Sequence, residues 1–279
     1  MSDLKIAVMA GNLRMDIYEG MERVVEMGVP GVHLSAHGEW DSRTMTPDAR
    51  RALVDHVRGL GLEISAISAW GGEVDLAVAE GWEENVEWGR KNLELAADLE
   101  CRIWQGHCGV MPEDTGDPSW AMLVDGMGRM AERGDEVGAC LAIETGPEPP
   151  YVLRRLITEI GSDAIRINWD PANLILWPVM FAKRAGEEYD KAKWIEKFQP
   201  NEGAKALADV IVHTHAKDAL VTEDGQGREV PLGEGWVDWP RYVGYLREAG
   251  FDGYFAIERE VGDNPVGDIE RAVKFLQSL

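Results

Sequence analysis

The 279-residue chain has few cationic side chains: 28 Lys and Arg stand against 50 Asp and Glu, a formal net charge of −22. Such a surface repels phosphate backbones and anionic headgroups, which excludes nucleic acids and membrane surfaces as default partners. Cysteine is scarce. Cys101, Cys108 and Cys140 are an odd set that fits neither a disulfide framework nor a C-x-x-C zinc spacing, so reduced thiols are expected. No apolar run approaches the ~20 residues of a membrane-spanning helix. Met1-Ser2-Asp3-Leu4-Lys5 leads into a strand-like run with no cleavage site, so a soluble, cytoplasmic protein is expected. Low-complexity tracts and identical repeats are also missing, and no domain boundary suggests itself. What is present is apolar: 45% of the residues, enough for a sizeable core.

The apolar residues fall into short runs alternating with segments of helical period. Lys5 to Ala10 reads as a first strand, and Ile17, Met21, Val24 and Val25 form one face of a helix that Gly28 stops. Gly31 to Ser35 is a second strand. Thr46-Pro47-Asp48 caps a helix with the stripe Leu53, Val54, Val57 and Leu60, and Glu63 to Trp70 is a third strand. Further strands are expected at Cys101 to His107, Cys140 to Glu144, Ile165 to Asp170, Val210 to His215 and Tyr254 to Glu258. Helices are expected at 82–99, from Asp117-Pro118-Ser119 to about Gly138, near Pro150 to Ile160, from about Glu187 to Ala208, and around Ile269, Val273 and Leu276. Eight strands, each followed by a helix, predict an α/β fold, a (β/α)8 TIM barrel forming one domain over 1–279. A doubly wound sheet is the competitor, but no G-x-G-x-x-G follows the first strand. Asn173 to Glu187 and Ala219 to Asp238 read as long loops on the C-terminal face of the strands, where barrel active sites lie.

Ionisable residues end four of these strands: Glu144, Asp170, His215 and Glu258. In a barrel such termini converge on one mouth, where three carboxylates without a cation would repel one another and take up protons. One divalent metal removes the conflict, and an O/N donor set suits Mn²⁺ first, then Mg²⁺, Co²⁺ or Zn²⁺. Taken singly each residue has a plainer explanation, an acid as the N-cap of the next helix or a histidine as a structural side chain. Their recurrence in successive units favours a site. His107 closes the fourth strand and should face the same mouth, and His213, two before His215, shares its side. Trp70, Trp104 and Trp169 lie at or beside strand ends, where indoles stack on sugar C–H faces or pack the barrel.

These residues resemble the sugar isomerase and epimerase family of xylose isomerase-like TIM barrels, whose members include ketose 3-epimerases, hydroxypyruvate isomerases and keto-inositol dehydratases. The resemblance runs through Ile143-Glu144, Trp169-Asp170-Pro171-Ala172-Asn173, Ile211-Val212-His213-Thr214-His215-Ala216-Lys217-Asp218, Leu232-Gly233-Glu234-Gly235, Asp238-Trp239 and Ala256-Ile257-Glu258. The first half of the chain shares only the strand rhythm. The resemblance implies metal ligands at Glu144, Asp170, His215 and Glu258, with Glu144 and Glu258 exchanging protons with the substrate. Asn173 stands where several of the epimerases carry a substrate-binding histidine; it can bond a hydroxyl but cannot titrate. Arg228 resembles a family arginine that touches substrate oxygens, although the loop from His215 is longer here. Lys217, with Asp218, is expected as salt-bridged support or as a substrate contact, and His107 as a substrate-binding or catalytic residue.

The chemistry implied is a sugar isomerase or epimerase working through a metal-stabilised enediolate, with two glutamates moving protons. The alternative is a metal-dependent lyase eliminating a substituent β to a carbonyl, a dehydratase or 3-keto-glycoside deglycosidase, because the same enolate precedes both outcomes. Family nucleases that cut abasic DNA carry extra histidine ligands, one at the position of Asn173, and the −22 charge opposes a phosphate-tracking groove. A sugar-binding protein without catalysis is disfavoured by the two glutamates. A small, unphosphorylated sugar or keto-polyol is the expected partner, since no phosphate-gripping loop is present and Gly233-Glu234-Gly235 carries a negative charge. The resemblance also implies a homo-oligomer, with Trp82 to Trp88 as one candidate patch.

Overall fold

A computed structural model describes residues 4–69 and 74–279. Trp70 and the leading Met1-Ser2-Asp3 lie outside the described residues. In chain order the elements are β1 (Lys5–Met9), α1 (Ile17–Glu26), β2 (Gly31–Ser35), α2 (Pro47–Gly59), β3 (Glu63–Ser68), α3 (Trp82–Asp98), β4 (Ile103–Gly106), α4 (Pro118–Val137), β5 (Cys140–Glu144), α5 (Pro150–Ile160) and β6 (Ile165–Trp169). Then follow α6 (Asn173–Ala185), α7 (Lys191–Phe198), α8 (Glu202–Leu207), β7 (Ile211–Ala216), β8 (Asp218–Val221), β9 (Gly227–Val230), α9 (Trp239–Glu248), β10 (Tyr254–Ile257) and α10 (Pro265–Gln277). Eight parallel strands close a barrel in the order β1-β10-β7-β6-β5-β4-β3-β2, as the βα rhythm predicts.

Helix starts follow local chemistry. The Thr46 hydroxyl accepts the Ala49 amide ahead of Pro47, and the Asp117 carboxylate accepts the Ser119 amide ahead of Pro118. Along the strands, alternation by two separates a thick outer core from a small inner one. Ile6, Val8, Phe255 and Ile257 join the core between strands and helices, whereas Ala7, Met9 and Ala256 form a separate small cluster. Gly31 leaves room for Tyr254 there: a Cβ on it would lie 2.5 Å from the Tyr254 ring. The rest of the interior is polar, with His33, Ser65, Gln105, Asn168 and His213 all buried. No described helix is long and apolar enough to cross a membrane.

Several expectations need correction. Asn173 to Glu187 is no loop: α6 occupies 173–185, and its period is masked because Leu174 to Phe181 is apolar on all sides and includes Pro178. The helix expected over 187–208 is two, α7 and α8, separated by Gln199 in the left-handed region (φ 47°) and Pro200. Strand four starts two residues late because Glu100 and Arg102 both turn the chain with φ of 61°. Ala219 to Asp238 contains a hairpin in which β8 pairs antiparallel with β9, Ala219 opposite Glu229. Trp104 and Trp169 are fully buried in the outer core, so neither indole is available for stacking. Trp88 is buried under Arg43, and Trp82 is half-buried under Arg129, which removes the apolar patch expected there.

The loop after the hairpin is folded around Asp218. One of its oxygens accepts the amides of Ala219 (2.9 Å) and Val237 (3.2 Å), and the other those of Gly233 (3.0 Å) and Gly235 (3.2 Å) and the Trp239 indole N–H (3.0 Å). A Cβ on Gly235 would lie 2.0 Å from the Asp218 carboxylate, so glycine is required for that approach. Replacing the carboxylate orphans several buried donors at about 1–3 kcal/mol each before relaxation. Asp218→Ala should therefore cost about 3 kcal/mol and lower the thermal midpoint by about 5 °C in a circular-dichroism melt; an unchanged midpoint would refute this role.

Candidate metal centre

Glu144 is the last residue of β5, Asp170 and Glu258 each follow the end of a strand, and His215 is the fifth residue of β7. All four are buried, and one donor atom from each lies within 4.8 Å of the others. His215 Nδ1 is 3.2 Å from Glu258 Oε2, 3.3 Å from Glu144 Oε1 and 3.9 Å from Asp170 Oδ2. Neither His215 nitrogen has a partner in hydrogen-bond geometry, nor has Asp170 Oδ2. Buried polar atoms without partners are rare, and here Asp170 Oδ2 and His215 Nδ1 lie 3.9 Å apart.

The supporting contacts leave those atoms inward. Asp170 uses Oδ1 as a cap, accepting the amides of Ala172 (2.8 Å) and Asn173 (3.1 Å), and so starts α6 while Oδ2 stays free. Thr145 pins the Asp170 backbone through its hydroxyl, bonded to Asp170 N (2.7 Å) and O (2.9 Å). Asn173 Nδ2 donates to Glu144 Oε1 (2.9 Å), and Gln105 Nε2 donates to Glu144 Oε2. His107 Nε2 is 3.5 Å from the same Oε2, its side chain partly exposed. Lys217 Nζ is buried between Glu258 Oε2 (3.0 Å), Asp170 Oδ2 (3.7 Å) and Glu260. Arg228 is exposed on β9, opposite Leu220.

The electrostatics follow from burial and these neighbours. Burial alone would raise every carboxyl here. For Glu258 the Lys217 and His215 charges overcome it and hold the group well below the usual carboxylate range. For Glu144, His107 and then His215 do the same more weakly. Asp170 goes the other way: burial, with Glu258 and Glu144 adding to it, raises it well above the usual range despite Lys217. His215 rises against burial because Glu258 and Glu144 favour its cation. Crowded carboxylates, one of them driven to bind a proton, around an unpartnered imidazole Nδ1 fit a divalent cation. Three carboxylate oxygens and one nitrogen suit a hard or borderline metal.

Below this cluster, the His33 and His213 rings meet edge-on, their centres 5.2 Å apart and their planes at 73°. His213 is engaged on both sides, by Asn168 Oδ1 (2.8 Å) and Ser65 Oγ (3.3 Å), so the three histidines do not form a second ligand set. Burial lowers His33 to about 3, which keeps it neutral.

The sequence reading placed Glu144, Asp170, Asn173, His215, Lys217, Glu258 and His107 together, and the structure does the same. It missed Gln105, although Gln105 lies on β4 two residues before His107. It also missed Glu260 and Glu148. Glu148 is buried on the loop after β5 and accepts the Met111 amide (3.0 Å) of the loop that carries His107.

The model of the xylose isomerase-like TIM barrel family matches residues 21–279. The chain is similar to L-ribulose-5-phosphate 3-epimerase UlaE of Salmonella paratyphi A, 26% identical over 244 residues that cover 81% of this chain and 75% of the relative. Among solved structures, a xylose isomerase domain protein from Planctomyces limnophilus superposes with a TM-score of 0.79 at 23% identity, over 99% of this chain and 96% of that one. A D-tagatose 3-epimerase-like protein does so with a TM-score of 0.69 at 19% identity, over 99% of both chains.

Burial pushes the Glu148 carboxyl up to about 8 from 4.5. An acid with a raised folded value binds its proton more tightly folded than unfolded, so stability is lost as pH rises from about 4.5 through about 8. Glu148→Gln removes that loss. The midpoint of the variant relative to wild type should climb by a few degrees between pH 5 and pH 8.5 in parallel melts; a constant difference would contradict the assignment.

Proposed function

Because the chain belongs to the xylose isomerase-like TIM barrel family, we propose that it is a divalent-metal-dependent sugar isomerase or epimerase, with Glu144, Asp170, His215 and Glu258 as ligands and Glu144 and Glu258 as the proton-transfer groups. The observation that carries this reading is the convergence of three buried carboxylates on His215 Nδ1. The curated relative named above, an epimerase of a ketose phosphate, points the same way. A cation held by these four residues, Mn²⁺ as first choice and Mg²⁺, Co²⁺ or Zn²⁺ as alternatives, supplies Lewis acidity that polarises the substrate's carbonyl and acidifies the neighbouring C–H.

The chain's own groups do the rest. Glu258, held ionised beside Lys217, removes the proton from the carbon next to the carbonyl and leaves the sugar as an enediolate. Glu144, beside His107, is the second carboxylate and exchanges a proton at the other face. Removal on one face and return on the other inverts the carbon; removal and return on one face interconverts ketose and aldose. Asn173 and Gln105 fix the Glu144 carboxylate from two sides, and Lys217, bonded to Asn173 Oδ1 and Glu258, ties the two glutamates together.

The experiment is NMR in D₂O of the metal-loaded protein with a panel of ketoses. Solvent deuterium next to the carbonyl, with an isomeric sugar accumulating, is the expected result. Loss of water or an aglycone with a new enone would replace this reading by a lyase. Glu258→Gln should lower turnover by more than about 100-fold, within the range of general base catalysis, and a variant keeping a tenth of the wild-type rate would sink its role as base. His215→Ala should lose metal on dialysis, read by elemental analysis; undiminished metal content would refute that ligand.

A further inference from the structure

Four of the five cations at the mouth are already engaged. The eight loops that leave the C-terminal ends of the barrel strands contain five Lys and Arg residues, Arg14, Arg43, Lys217, Arg228 and Arg259, and residues 70–73 add none. Arg14 donates to the backbone carbonyls of Gly262 (2.8 Å) and Glu260 (2.7 Å). Arg43 is forked onto Asp41 and lies over Trp88. Lys217 is buried among Glu258, Asp170 and Glu260, and Arg259 is buried between Glu229 (2.7 Å) and Asp268 (2.8 Å). Arg14 and Arg228 lack ion pairs: Arg14 is held by the two carbonyls, and Arg228 is exposed on the hairpin. A phosphate monoester, which carries about −1.5 to −2 charges at pH 7, would meet loops rich in carboxylates with no buried cation free to receive it.

The lip beside Glu144 is aromatic instead. Trp177 lies one turn after Asn173 on α6, hence on the same helix face, and is half-buried. Its ring meets the His107 ring edge-on at 6.2 Å, and His107 in turn reaches within 3.5 Å of Glu144. Gly146 makes space for both rings: a Cβ there would lie 2.6 Å from Trp177 Nε1 and 3.3 Å from His107 Cε1. From behind, Phe181 packs on Trp177 at 5.8 Å and is itself backed by Trp194 and Phe198, so the indole is held in place. An indole presented this way matches the apolar C–H face of a sugar ring or chain.

We propose that the substrate is an unphosphorylated sugar whose C–H face lies on the Trp177 indole, beside His107, at the lip of the site. This rests on the sugar isomerase or epimerase reading above. The test is calorimetric binding to the Mg²⁺-loaded protein of free ketopentoses and ketohexoses, each paired with its terminal phosphate ester, with deuterium exchange followed on the same samples. At least one free ketose should bind at least ~30-fold more tightly than its ester. Trp177→Ala should weaken that ketose about tenfold, and Trp177→Phe should restore it to within about threefold. Tighter binding of the esters, no binding by any member of the panel, or unchanged affinity in Trp177→Ala would overturn the inference. Exchange separates the two readings. Exchange with esters that bind more tightly leaves the isomerase or epimerase and removes the unphosphorylated substrate; binding of a free ketose without exchange does the reverse.

Discussion

Three carboxylates buried around one imidazole nitrogen are the constraint on which the rest of the site depends. Charges of one sign placed a few ångströms apart at low dielectric repel strongly, and burial removes the water that would screen them. Every neighbour bears on that conflict. Lys217 supplies a buried positive charge and is itself balanced by Glu260 on its outer side. Gln105, Asn173 and Thr145 fix the carboxylates and their backbone without adding charge. Even so, Asp170 Oδ2 and His215 Nδ1 have no hydrogen-bond partner, and a divalent cation is a chemical group that answers both at once.

The fold delivers these atoms by a simple rule. Parallel strands of a barrel end at one mouth, and residues two apart on a strand face the same way. His213 and His215 therefore share the interior, the lower one locked by Asn168 and Ser65 and the upper one directed at the carboxylates. The helix after β6 adds a second layer: a carboxylate of the cluster accepts the amide of its first residue, that residue steadies Glu144, and its next turn brings Trp177 to the lip. Asp218 does the equivalent for the long loop after β7, using one carboxylate to gather the amides of a glycine-rich turn. Structure and chemistry are thus coupled through a few acids that serve backbone and site together.

The barrel and the four clustered residues are legible in the sequence because their signals are local. Short apolar runs ending in Glu, Asp or His give both the strand and the direction of its last side chain. Where the signal depends on tertiary packing, the reading fails. The helix α6 is hidden by an all-round apolar stretch containing Pro178, which shows no single buried face until α7 and the hairpin cover it. The hairpin itself is short and polar, and nothing in its residues announces pairing before β8 and β9 meet. Trp104 and Trp169 share the strand ends with the site residues but point to the outer core, whereas Trp177, a turn into a helix, is the indole that reaches the mouth. Gln105 was within reach of the same two-residue alternation that relates His213 to His215.

The most direct measurement is anomalous diffraction from crystals grown with Mn²⁺. One peak bonded at about 2.0–2.3 Å to carboxylate oxygens of Glu144, Asp170 and Glu258 and to His215 Nδ1 is the expected result. A peak elsewhere, or none at the four residues with Mn²⁺ at millimolar concentration, would contradict the claim that this cluster is built to hold a metal.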